Sequence, residues 1–142
     1  MVESQNLVSI MIAQHRGLQK DLGAVLVLAD EGVEKCDVID NLLNQFNNDL
    51  AVHLALENNT FYKELLQKMK AKNQDTTKTE MFILEMNLIA KAVAEFLQKY
   101  SGCQNIKENI SVFKPELTEI ISVLNLRIES EEAGVYAYWG LF

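Results

Sequence analysis

The sequence predicts an all-α protein, a single antiparallel up-down-up-down four-helix bundle that occupies residues 1–142. Three observations predict this fold class. The composition, 49% hydrophobic and 23% charged, is that of one globular domain. Six Gly and one Pro are too few turn-forming residues for a protein built from many short strands. Four long segments carry apolar residues at steps of three and four, which is the period of an amphipathic helix.

The first two helices are predicted from this period and from the residues at their ends. The first runs from about residue 4 to residue 29, and Gly32 is expected to terminate it. Asp37 is the expected N-cap of the second helix, which continues to Met69. A polar segment at 70–77 reads as the next loop.

The third and fourth helices are predicted in the same way. The third covers about 77–100 and ends at Ser101-Gly102. The fourth carries its apolar residues from Phe113 to Tyr138, with an extra turn hinted at by Ile106 and Ile110. Because Pro115 lacks an amide proton, it is expected in a first turn or at a kink.

Charge and composition argue against several classes of partner. The net charge of −7, with no basic stripe, speaks against nucleic acid. No segment approaches about 18 consecutive apolar residues, so no membrane span is expected. Residues 1–6 lack the basic start and apolar run of a signal peptide. Cys36 and Cys103 form no CxxC pair and are expected as separate small residues near helix ends, which favours a cytoplasmic location.

Ionisable residues interrupt the apolar stripes at repeated positions. Both histidines of the chain, His15 and His53, lie in the core stripe of their helices. Glu57 follows His53 by four residues, so both project from one helix face, and Arg127 and Glu131 repeat this spacing in the last helix.

Two interpretations of these residues are open. Histidine and carboxylate side chains on facing helices hold iron or manganese in bundle cores, because rigid helices fix inward side chains at set heights. The alternative is a buried ion-pair network without metal, since buried carboxylates are normally either paired or bound to a metal.

The residues in question resemble the ligand pattern of the hemerythrin-like, or HHE cation-binding, domains. Members of that family carry a His on helix 1, HxxxE on helix 2, a His on helix 3 and HxxxE on helix 4, and this chain is similar to them in part of this pattern. His15, His53, Glu57 and Glu131 fall on four of these positions, and Glu132 on a neighbouring one. The resemblance spans nearly the whole chain and implies a four-helix bundle with a non-haem di-iron centre.

Two of the family's ligand positions are altered. The helix 3 motif, often Glu-His, is Glu85-Met86 here, and the helix 4 His position holds Arg127. A thioether is a soft ligand for iron, and a guanidinium between Glu57 and Glu131 is expected to neutralise both carboxylates. The resemblance therefore implies a protein that binds or senses iron, dioxygen or nitric oxide. Its site would hold one iron ion or a weak asymmetric pair, and Met86 and Arg127 are expected to border that site.

A second resemblance belongs to another functional class. The spacing Phe113-x3-Leu117-x2-Ile120-x3-Leu124-x2-Arg127-x3-Glu131 is similar to the last helix of the regulator of sigma D family. That resemblance implies a metal-free regulator that acts by binding a protein partner.

Two further features of the sequence are an aromatic C-terminal segment and the lack of familiar catalytic motifs. The C-terminal aromatic residues Tyr136, Tyr138, Trp139 and Phe142 are expected to cap the core at one bundle end. No phosphate-binding loop, nucleophile elbow or catalytic triad pattern is present, so enzymatic catalysis is not the primary expectation.

Overall fold

The computed structural model describes residues 4–142, and this part of the chain is helical and contains no β-strand. The predicted all-α class is therefore confirmed. The helices are α1 (Ser4–Glu31), α2 (Cys36–Leu56), α3 (Lys63–Ala71), α4 (Thr77–Lys99), α5 (Cys103–Glu108), α6 (Ile110–Ala133) and α7 (Val135–Tyr138). A 3-10 turn (Val33–Lys35) joins α1 to α2, and a π-helical turn (Glu57–Tyr62) joins α2 to α3. Residues 1–3, half of the segment judged for a signal peptide, lie outside the described residues.

Some predicted helix limits agree with the structure and others differ; among the latter, the predicted fourth helix breaks at Gly134, between α6 and α7, before it reaches Tyr138. Gly32 ends α1 with φ +107°, a backbone angle that favours glycine. The prediction that Asp37 caps the second helix is wrong, because the 3-10 turn leads directly into α2 at Cys36 and places Asp37 inside the first turn. Pro115 lies in the sixth position of α6, beyond the expected first turn, and removes one backbone hydrogen bond there. The turn hinted at by Ile106 is α5.

Two apolar clusters build the core, one on each side of a polar layer. Helix α1 packs against α2 and α6, and α4 packs against α6. The first cluster includes Leu18, Leu50, Val93 and Leu124. The second includes Met11, Phe61, Val135 and Trp139. Along α1, α2 and α6 the buried ionisable residues fall between the two clusters, and they are His15, His53, Glu57, Arg127 and Glu131.

The C-terminal aromatic residues pack into the second cluster. Trp139 and Tyr136 are buried, and the ring of Phe61 lies 5.1 Å from each of theirs. Tyr138 and Phe142 are partly buried against the same cluster. The expectation that this run caps the core at one end is confirmed.

Cys36 and Cys103 form a disulfide, so the expectation of two separate small residues is wrong. Each is the first residue of a helix, α2 and α5, and these helices pack together with the two Cα atoms 5.0 Å apart. This distance lies within the range that a disulfide spans. The residues are 67 positions apart, so local spacing carries no signal of the pairing.

Within residues 4–142, no helix combines the length and apolar character needed to cross a lipid bilayer.

Candidate metal centre

Four of the predicted site residues meet in the polar layer. They are His15, His53, Glu57 and Glu131, contributed by α1, α2, the π-helical turn and α6. Each side chain is at most 3% exposed, and one ligand atom from each lies within 4.8 Å of the others. Helix geometry explains the convergence, because each residue lies on the apolar stripe of its own segment, between the two core clusters.

Both imidazoles are held from outside and turn their second nitrogen inward. Nδ1 of His15 lies 2.7 Å from Oε2 of Glu132, and Nδ1 of His53 lies 2.7 Å from Oε1 of Gln14. The inward Nε2 atoms lie 3.2 Å from Glu131 (His15) and 3.3 Å from Glu57 (His53). With Nδ1 of each imidazole directed at an outer acceptor, the inward Nε2 is the atom that would bind a metal once its own proton is absent, which is the arrangement that metal-bound histidines use.

Two irregularities in the helices bring tyrosines to the site. The π-helical turn contributes Phe61 and Tyr62, which are both buried, and such single turns are frequent at functional sites. At Gly134, between α6 and α7, an added Cβ would lie 2.7 Å from the carbonyl oxygen of Ser130, so the break there requires glycine. The break precedes the buried Tyr136 of α7.

The tyrosine hydroxyls donate hydrogen bonds to the buried carboxylates. Tyr136 donates to Oε2 of Glu57 at 2.8 Å and lies 3.1 Å from Nε2 of His15. Tyr62 donates to Oε2 of Glu131 at 3.3 Å. Burial, reinforced by the nearby charges of Glu57 and Glu131, raises the pKa of both tyrosines far above their ordinary value, so both remain protonated donors.

The two carboxylates differ in their ionisation. Burial raises the pKa of Glu57, but the hydrogen bond and charge of His53 outweigh it and leave the pKa below its usual range. Burial and the neighbouring charge of Glu57 raise the pKa of Glu131, against the opposing hydrogen bond of His15. The second oxygen of Glu57, Oε1, is buried without a hydrogen-bond partner in the described structure. A buried carboxylate oxygen in this condition is costly unless a cation supplies the missing contact.

Arg127 borders the layer and is anchored away from Glu57. Its NH2 group donates to the carbonyl oxygen of Phe82 at 2.6 Å, and its guanidinium lies 4.3 Å from the centre of the Phe82 ring. Nε lies 3.5 Å from Glu131, and NH1 lies 3.5 Å from Glu85. Among the described residues no ion pair joins Arg127 to Glu57, so the expectation that the guanidinium neutralises both carboxylates is wrong. Backbone and ring contacts to Phe82 hold it on the α4 side.

Met86 completes the border on α4. It is 5% exposed and lines a cavity together with His15 and Arg127. The two altered positions, Met86 and Arg127, thus lie beside the four convergent residues.

Sequence reasoning missed the residues that support the site. Gln14 gave no signal of its own, and Glu132 was noted only as the neighbour of Glu131, without a role toward His15. Tyr62 and Tyr136 lie off the regular helical stripe, because the π-helical turn and the break at Gly134 shift the register that spacing assumes.

Comparison with known families identifies the class of protein. The model of the hemerythrin HHE cation-binding domain matches residues 6–139, nearly the whole chain, so this chain belongs to that family. No curated protein and no solved structure matches it.

The residues present fit a bound cation. Two imidazole nitrogens and two carboxylates form a donor set suited to iron or manganese, and the unpartnered Oε1 of Glu57 lies among them. At metal–ligand bonds of about 2.1 Å, neighbouring donor atoms stand about 3–4 Å apart, so donor atoms that lie up to 4.8 Å apart close around an ion with shifts of at most about 0.4–0.9 Å each.

Proposed function

We propose that this chain binds one non-haem iron ion through His15, His53, Glu57 and Glu131. The observation that carries the proposal is the convergence of two inward Nε2 atoms and two buried carboxylates, with Nδ1 of each histidine fixed by Gln14 or Glu132. Such outer contacts orient the imidazoles before the ion arrives and raise their basicity.

The residues at the two altered ligand positions disfavour binding of a second ion. Arg127 brings a permanent positive charge to the helix 4 position, 3.5 Å from Glu131. Met86 offers only a soft thioether at the helix 3 position. A guanidinium beside a carboxylate replaces the electrostatic role of a second cation, so these residues favour one ion over a pair.

Dioxygen or nitric oxide is the ligand that we propose for the iron. A ferrous ion with an open coordination position supplies the electrons and the binding site that these diatomic molecules require. The protein contributes a layer of buried side chains that lies between two apolar clusters. The hydroxyl of Tyr136, whose oxygen lies 2.8 Å from Glu57 and 3.1 Å from His15, is a fixed hydrogen-bond donor at the edge of the layer.

We also propose that residues 1–142 form one domain with the antiparallel up-down-up-down order of four long helices. The order of contacts along the chain supports this. Helix α1 passes from the second apolar cluster to the first, the segment α2–α3 passes from the first to the second, and α4 and α6 repeat the alternation. A cytoplasmic location stays a prediction, and the Cys36–Cys103 disulfide weighs against it, because disulfides persist mainly in oxidising environments.

Anaerobic titration with ferrous iron tests the metal proposal. We expect saturation near one iron per chain, and affinity at least tenfold lower in His15→Ala and in His53→Ala. A matched control is Gln45→Ala, which alters an exposed residue of α2 and leaves the layer intact. Absence of saturable binding by the folded parent protein would overturn the proposal.

Binding of a protein partner is a second candidate function. The observation in its favour is a set of exposed leucines on α4 and α6: Leu84 at 63%, Leu88 at 70% and Leu126 at 63% exposure. Isolated exposed leucines are common on soluble proteins, so this candidate ranks below metal binding. Co-purification of a stoichiometric partner that is lost in Leu88→Glu would support it, whereas a monomeric, partner-free protein with iron bound would count against it.

A further inference from the structure

A cavity of about 350 Å³ opens between α1 and α6 and reaches the polar layer. Its outer walls are apolar side chains, among them Leu18, Leu22 and Leu26 of α1 and Ile121 and Leu124 of α6. Its inner end is lined by His15, His53 and Glu131. The cavity thus joins the surface groove between two helices to the residues proposed to hold iron.

The cavity is far larger than a diatomic ligand requires. An engineered apolar cavity of about 150 Å³ holds benzene, so 350 Å³ has space for about a dozen carbon atoms. Pockets that bind small organic molecules begin at about 300 Å³. Passage of dioxygen or nitric oxide therefore does not account for this volume.

The shape of the cavity favours a chain over a ring system. Its walls extend on α1 from His15 to Leu26 and on α6 from Ile121 to Glu131, which at 1.5 Å per residue is about 16 Å. Dividing 350 Å³ by this length leaves a mean cross-section of only about 20 Å². A long, narrow, apolar channel of this kind accommodates an unbranched hydrocarbon chain.

Two amide side chains lie at the groove side of the channel. Gln19 donates a hydrogen bond to Asn125 at 3.0 Å, which holds the two amides against each other. Gly23 lies at the exposed side of the channel, and an added Cβ there meets nothing within 4 Å. A side chain larger than hydrogen at position 23 would therefore have space beside the channel.

We propose that the α1/α6 channel binds an unbranched aliphatic molecule of about ten to twelve carbons, with one end against the polar layer. Binding of this aliphatic molecule is independent of metal. Only the placement of its inner end beside an iron ion rests on the function proposed above.

The first test is a length series on the metal-free protein, with 1-hexanol, 1-octanol, 1-decanol and 1-tetradecanol as probes. Burial of each further CH2 raises affinity about fourfold. We expect this gain from hexanol through decanol by titration calorimetry, and no further gain for tetradecanol, measured by displacement of decanol. Absence of saturable decanol binding would overturn the proposal, as would affinity that keeps rising fourfold per CH2 through tetradecanol.

Two glycines of α1 provide a matched pair of variants. Gly17 and Gly23 both have open space around an added Cβ, but only Gly23 lines the channel. We expect Gly23→Phe to weaken decanol binding at least tenfold and Gly17→Phe to change it less than twofold. Leu26→Trp, which enlarges a wall residue, is expected to act like Gly23→Phe. Undiminished decanol affinity in both folded channel variants would contradict the assignment of the site.

A third measurement separates the channel from the metal centre. With Mn²⁺ as a paramagnetic probe, protons at one end of bound decanol should relax much faster than those at the other. Saturable decanol binding without this gradient, in protein shown to hold Mn²⁺, would refute the placement against the layer. Failure to bind any divalent metal would instead count against the proposed function and leave the alcohol series to decide the channel.

Discussion

Neutralising Glu57 is the most informative single change in the polar layer. The side chain is fully buried, accepts a hydrogen bond from Tyr136 at 2.8 Å and lies 3.3 Å from Nε2 of His53. Glu57→Gln keeps the shape and removes the charge. Loss of one partner of a buried ion pair costs about 3–5 kcal/mol. At roughly 3 °C per kcal/mol for a chain of this size, the metal-free variant should melt about 10 °C lower.

The pH dependence of this effect follows from the ionisation of Glu57. Its pKa is lowered in the folded protein despite the opposing effect of burial, because His53 favours the charged form. A lowered folded-state pKa contributes stability above the unfolded pKa, and this stability is lost as pH falls through the folded value. The difference in melting temperature between parent and variant should therefore be largest near neutral pH and shrink in acid.

Calorimetric melting of the metal-free proteins, together with ferrous titration, measures both consequences. We expect iron affinity to fall at least tenfold, because one of four ligands loses its charge. Glu64→Gln, an exposed change on α3, is the matched control and should alter stability by less than about 0.5 kcal/mol. Unchanged melting and unchanged iron binding in Glu57→Gln would refute the role assigned to this residue.

Three further predictions address the neighbouring features. Met86→His combined with Arg127→His should raise iron content from one towards two per chain, measured by metal analysis; parental iron content in the folded double variant would argue against shared site geometry. Asp21 has a pKa raised to about 6 by burial and by the neighbouring carboxyl group of Asp49. Its contribution to stability is therefore lost as pH rises through 6, and Asp21→Asn should melt like the parent near pH 4 and progressively higher than the parent towards pH 7. Reduction of the Cys36–Cys103 disulfide, which closes a loop of 67 residues, should lower the free energy of unfolding by up to about 4 kcal/mol in denaturant titrations, and an unchanged midpoint would show that the bond contributes nothing.

Periodicity was sufficient to predict which ionisable residues converge in the polar layer. His15, His53, Glu57 and Glu131 all lie on regular helical stripes, so their inward direction follows from a spacing of three or four residues. Their common height follows from their position between the two apolar clusters on three rigid segments. The chemistry of the donor set was equally accessible, because it depends only on residue types.

The features that escaped prediction depend on local irregularity or on contacts far apart in the chain. Tyr62 enters the site through one π-helical turn, and Tyr136 follows a break at Gly134; neither changes the apparent period. The shortest hydrogen bond of Arg127 is to the backbone carbonyl of Phe82, a contact that no side-chain pattern encodes. The channel between α1 and α6 arises from how two helices are spaced, a quantity that neither helix specifies alone.

The central claim is that this hemerythrin-family chain holds one iron ion where an arginine and a methionine replace ligands of a second. Iron analysis combined with electron paramagnetic resonance of the oxidised, iron-loaded protein tests it most directly, because isolated high-spin ferric ions give a signal and an antiferromagnetically coupled ferric pair gives none. We predict about one iron per chain, all of it accounted for by the signal of isolated ferric ions. A ratio near zero, or a ratio near two with a silent spectrum, would contradict the account.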